Sequence, residues 1–220
     1  MAGCAGTPEI PYDHSASSQI KSIAIVTPYS NGPTIVLASS VGQSFGLVGA
    51  LIDASMTSDR NSKFTAMMQS QNFTADAYFV SCLTDSLKAE GYRVVIIPVP
   101  RPDDKFLVNY PGSDQKIDAY FDARTQFGYI AAGIGGSNPY RPAFYAHARL
   151  VKATDSSAVL MEDTVMYNPL GSPKNMITIA PNPTWHYVDM DAMTADPTGA
   201  MSGLKDAELK SAQALAALLK

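Results

Sequence analysis

Cysteine, histidine and tryptophan are scarce: two, three and one among 220 residues. Two cysteines cannot build a disulfide scaffold or fill a four-ligand zinc site. Charge is sparse as well, at 16% of residues, with 16 Lys and Arg against 20 Asp and Glu and a net of −4. No block of like charge is present, so the basic stripe that displaces counterions from nucleic acid is missing. No fixed-period repeat divides the chain either. What remains is a chain that is 46% hydrophobic, enough for one sizeable core.

The amino terminus reads Met1-Ala2-Gly3-Cys4-Ala5-Gly6. Small residues directly before a cysteine resemble the end of a bacterial lipoprotein signal, where Ala-Gly-Cys marks cleavage and lipidation. That resemblance makes Cys4 the lipid-bearing first residue of the mature protein. Ala5, in place of an aspartate, points to the periplasmic face of the outer membrane. Residues 5–20 are rich in Pro, Ser and small polar residues without periodicity, and predict a flexible tether over residues 1–20 ahead of one domain over 21–220. Cys82 falls in a predicted helix as a buried thiol, which leaves Cys4 without a disulfide partner.

Beyond the tether, Ile23–Thr27 reads as a buried strand. A short helix is predicted over 62–71. A clearer one runs over 75–90, with Thr74 as N-cap, Gly91 behind, and Phe79, Leu83 and Leu87 on one side. Arg93–Val99 reads as a strand, and 101–116 as a loop. Residues 117–133, 143–153 and 158–167 predict antiparallel hairpin partners, with one more short strand over 176–180. His147 is expected as a partly exposed sheet residue beside Tyr145 and Arg149, and Asp103-Asp104 as a loop pair in water. Gly203–Lys220 predicts a helix with Leu204, Ala212, Leu215 and Leu219 on its apolar side. The fold class is α/β or α+β: a mixed sheet of about five strands with helices packed on it.

Thr34 to Ile52 carries no charge, yet only 11 of its 19 residues are apolar, against the roughly 20 that a membrane span needs. Ala38, Gly42, Gly46, Ala50 and Ala54 fall at i, i+4 spacing, so a helix here would present one ridge of small residues for close packing. The neighbour would be the protein's own sheet, a second copy of the chain, or a membrane. The same stretch holds Gly42-Gln43-Ser44-Phe45-Gly46, the G-x-S-x-G of a nucleophile elbow. Asp155 or Asp163 and then His186 would complete a Ser…Asp…His set with Ser44. An α/β-hydrolase, however, builds several strands before its elbow, and one precedes it here. His186, Asp189 and Asp191 match no closed metal site, and no metal or cofactor is expected.

Taken in order, the lipid cysteine, the tether, the first strand, the helix ending in Gly91-Tyr92, the strand opening Ile117-Asp118-Ala119-Tyr120 and the hairpin LVKATDSSA over 150–158 resemble a group of outer-membrane lipoproteins. These are the curli-secretion (CsgG-like) lipoproteins, the activators of peptidoglycan synthases and transport-associated lipoproteins. The resemblance covers roughly residues 20–168 and does not place the glycine-ridge segment. It implies a non-catalytic, lipid-anchored protein serving envelope assembly or transport through a protein partner. The alternatives are a periplasmic serine hydrolase using Ser44, Asp163 and His186, and a cytosolic ligand-binding module.

Overall fold

The computed structural model describes residues 9–15, 17–38, 54–112, 115–132, 138–169 and 174–220. Seven strands form one sheet: β1 (Ser22–Val26), β2 (Tyr29–Ala38), β3 (Arg93–Ile97), β4 (Ala119–Ala132), β5 (Arg141–Lys152), β6 (Val159–Tyr167) and β7 (Ile177–Ile179). Among the described residues four helices accompany them: α1 (Ala54–Ser70), α2 (Ala75–Ala89), α3 (Met190–Ala195) and α4 (Pro197–Ala217). The strand order is β3-β1-β4-β5-β6-β7, with β2 joined to β4 beside β1. β1, β2 and β3 run parallel to their neighbours, β4-β5-β6 are antiparallel, and β7 lies parallel on β6. The mixed α+β architecture expected from the sequence is present. Its additional strand is β2.

The helix expected from Thr34 does not form over 34–38, where β2 continues instead. β-Branched Thr34, Ile35 and Val36 favour an extended chain, and β4 offers them an edge, with Ile35 opposite Tyr129 and Ala38 opposite Ala132. Ala38 therefore belongs to a strand, not to a helical ridge with Ala54, whose backbone opens α1. Gly42, Ser44, Gly46 and Ala50 lie outside the described residues, as does Cys4. β1 and β2 lie end to end along β4, interrupted at Pro28, and Gly32 takes φ +77° where the β2 register shifts.

Gly128 marks a tighter contact in the same pair. Its φ is +157°, and a Cβ there would run into the Thr34 carbonyl of β2. Backbone cannot step aside as a side chain can. Gly128→Ala is therefore expected to cost about 2 kcal/mol, the middle of the overpacking range, read as a lower urea midpoint with unchanged slope.

The helices cover one face of the sheet. Ile23, Ile25, Phe121, Phe127, Tyr129, Phe144, Leu150 and Val165 meet Phe64, Phe79, Leu83, Leu87, Leu204 and Leu215 in the main core. α2 ends as expected, with Gly91 at φ +93°, but Thr74 makes no side-chain cap bond. α4 begins earlier than expected because the Asp196 carboxylate accepts the Gly199 N–H at 3.0 Å and Pro197 supplies a preset first turn.

The second half of the expected tether is packed against this body. Ile10 exchanges two backbone hydrogen bonds with Glu162 of β6, at 2.7 and 2.9 Å. The Asp13 carboxylate closes a turn by accepting from Ser15, and Ser17 and Ile20 are buried before β1 begins. The segment thus crosses one end of the sheet from β6 to β1. There it lies beside Tyr92 and Leu219, whose carbonyl accepts the Tyr92 hydroxyl at 2.6 Å.

Candidate functional site

The sheet face away from the helices carries the charges. Strand alternation puts Asp122 and Arg124 of β4 on that face with Tyr120. His147 and Arg149 of β5 and Glu162 of β6 join them through the registers Arg124↔His147, Asp122↔Arg149 and Arg149↔Glu162. The loop that follows β3 lies over them. Its prolines, Pro98, Pro100 and Pro102, remove the donors that would continue β3, and the chain turns back across the sheet.

Asp122 holds the loop down. Wholly buried, it pairs with Arg101 at 2.5 Å and accepts the Leu107 N–H at 2.8 Å and the Tyr110 hydroxyl at 3.1 Å. Arg101 also donates to the carbonyls of Thr27 and Lys105. Burial, followed by the Asp122 charge, raises the Tyr110 hydroxyl far above its usual value, so it remains a donor.

Phe106 anchors the other end. Its ring meets His147 edge-on at 4.8 Å, lies 4.0 Å from the Arg149 guanidinium, and stands 5.6 Å from that of Arg124. Beneath it, Glu162 contacts His147 Nε2 at 2.9 Å and accepts from Arg149 at 3.1 Å. Burial holds the His147 pKa down, against the pull of Glu162. Arg124 donates to Asp104 at 2.6 Å, a bond that holds the Asp104 carboxyl below its usual range. Three carboxylates thereby meet three guanidiniums. The cluster is a polar second core that clamps the loop.

These placements revise two readings. His147 is buried under Phe106, 6% exposed, because the loop covers it. Asp104 is paired with Arg124, while Asp103 faces water with Lys105. Arg101, Phe106, Asp122 and Glu162 went unread as a group. Asp122 and Glu162 alternate with core residues on β4 and β6, whereas Arg101 and Phe106 lie in the loop after β3, outside any strand pattern.

The residues of the hydrolase alternative are spent locally. Asp163 of β6 is 9% exposed, accepts the N–H of Thr164 at 2.6 Å, and has its pKa raised by burial. His186 is exposed, and its Nδ1 lies 2.9 Å from the Pro183 carbonyl. No hydrogen bond joins the two among the described residues, and Ser44 lies outside them. Asp155 makes the expected turn by accepting from Ser157, and Asp189 caps α3 through Ala192. Trp185 packs against α4 at Gly203, and Cys82 is buried as expected. Among the described residues, no group of three His, Cys, Asp or Glu side chains is placed to hold a metal ion, and no helix is long and apolar enough to cross a membrane.

One buried acid stands apart. Glu208 of α4 is wholly buried, and neither carboxylate oxygen has a hydrogen-bond partner among the described residues. Burial, and then the Asp76 charge at the start of α2, push its pKa well up. Asp76 is itself raised by burial, although Ser30 and Thr125 offer it hydroxyls.

No protein-family model and no curated protein sequence matches the chain. Among solved structures, it is similar to the PelC dodecamer of Paraburkholderia phytofirmans, at 11% identity, covering 98% of this chain and 93% of that one with a TM-score of 0.39. A single-substitution form of PelC in another crystal gives 9% identity, 98% and 92% coverage, and a TM-score of 0.38. A Xanthomonas campestris protein of the DUF330 family gives 10% identity, 96% and 88% coverage, and a TM-score of 0.44. Likeness at this level carries nothing about activity.

Proposed function

We propose that this chain is a non-catalytic lipoprotein, held at the periplasmic face of the outer membrane by a lipid on Cys4. It serves envelope assembly or transport by contacting a protein partner. The observation that carries the reading is the Ala2-Gly3-Cys4 sequence, joined by a short segment to a leader docked on the body at Ile10. A lipid thioether also resolves the state of Cys4, since the one other cysteine, Cys82, is buried. The pairing of Asp104, Asp122 and Glu162 with arginines agrees with a body built for rigidity.

Tritiated palmitate fed to cells that express the full-length gene tests the anchor. The native protein is expected to take up label and sediment with outer membranes, and Cys4→Ala is expected to lose both. Unlabelled native protein rejects the proposal. A fluorophosphonate probe that marks native protein but not Ser44→Ala would replace it with the hydrolase.

A further inference from the structure

The docked leader restricts how the body can sit on a membrane. Ile10 is fixed to β6 by two backbone hydrogen bonds, on the strand edge that β7 occupies further along. Cys4 lies six residues before it, and an extended chain covers at most about 3.6 Å per residue, so the reach from Ile10 to Cys4 is roughly 20 Å. Ile10 is itself paired outside β6, so from it the sheet runs through β6, β5, β4 and β1 to β3, five strand spacings of about 4.8 Å, or roughly 24 Å. The tether is therefore shorter than the distance from Ile10 to the β3 margin, and side chains on that margin add to it. The β3 margin cannot swing round to the surface in which a lipid on Cys4 would be embedded.

We infer that the body is held with its β6–β7 edge turned to the lipid surface and its β3 edge on the far side. This rests on the proposed lipidation of Cys4. β3 pairs only with β1 among the described residues, and its Ile96 is 53% exposed, which makes it the reporter position for the far edge.

The test uses the lipidated full-length protein in phosphatidylcholine vesicles that contain a nitroxide-labelled lipid. An environment-sensitive fluorophore is attached at Lys174→Cys, an exposed position three residues before β7, or at Ile96→Cys on β3. Flotation comes first. Native protein that fails to float with the vesicles overturns the lipid anchor, and this orientation with it. For protein that floats, at least twofold stronger quenching at position 174 than at position 96 is expected. Equal quenching, or the reverse order, overturns the orientation while leaving the anchor standing. In a second variant, twelve Gly and Ser residues inserted after Gly6 should bring the two values together. A contrast that survives the insertion shows that something other than tether length sets the pose, which also overturns the inference.

Discussion

Asp122→Ala is expected to destabilise the protein by about 3–5 kcal/mol, because removing one partner of a buried ion pair leaves the other charged and unsatisfied. The orphan is the Arg101 guanidinium, whose side chain is only 5% exposed. The Leu107 N–H and the Tyr110 hydroxyl lose their acceptor in the same step. The loss should be local before it is global: limited proteolysis is expected to cut the loop over 98–117 in the variant under conditions where the native loop resists. Pairing the change with Arg101→Met removes the orphaned charge and should recover part of the loss, as a double-mutant cycle would record. A cost below about 1 kcal/mol, typical of an exposed pair, together with an unchanged digestion pattern, would contradict a clamp centred on Asp122.

Glu208→Leu is expected to act in the opposite direction. A buried polar group without partners costs about 1–3 kcal/mol, more when charged, so its removal should add about 3 kcal/mol at pH 8. The pH dependence follows from the direction of its shift. With its folded-state pKa raised, Glu208 binds a proton more tightly in the native chain than in the unfolded one. The stability linked to that proton is complete below the ordinary glutamate range and is lost as pH rises through the elevated value. Asp76 and Asp163, also raised, add in the same sense, while His147, held down by burial, works against them where it titrates. In urea unfolding, Glu208→Gln should therefore raise the pH 8 midpoint relative to the pH 5 midpoint, compared with the native protein. A Glu208→Leu variant less stable than native at both pH values would show that the carboxyl has a stabilising partner.

The antiparallel half of the sheet was legible because its strands carry their own signal. Alternation over β4, β5 and β6 and the Thr154–Ser157 turn are local features, and the hairpins sit within two residues of where periodicity put them. β2 was misread because small residues at fourfold spacing fit a helix ridge, and nothing local says that β4 has a vacant edge beside Thr34 to Ala38. Tertiary pairing decided the conformation there. The leader was read as a tether for lack of periodicity. Its anchors, Ile10, Tyr12 and Ile20, are single contacts with distant segments and leave no pattern.

The polar second core was half-legible. Asp122, Arg124, His147, Arg149 and Glu162 alternate with core residues as any solvated sheet face would. Only the length of the loop over 98–117, unusual for a plain connection, hinted that something covers them. Glu208 was readable outright. It occupies the helical stripe of Leu204 and Ala212, at i+4 from the first and i−4 from the second, an acid where the pattern demands an apolar side chain. The Ser44 set could be written from residue order alone. Order carries no distance, and Asp163 and His186 turn out to serve their own neighbours.

Intact-mass measurement of the protein extracted from its native membranes tests the lipid anchor most directly. The expected species begins at Cys4 and carries the added mass of a diacylglyceryl group on its sulfur. A chain with Cys4 internal to it, or with its thiol unmodified, would contradict the anchored role and the orientation built on it.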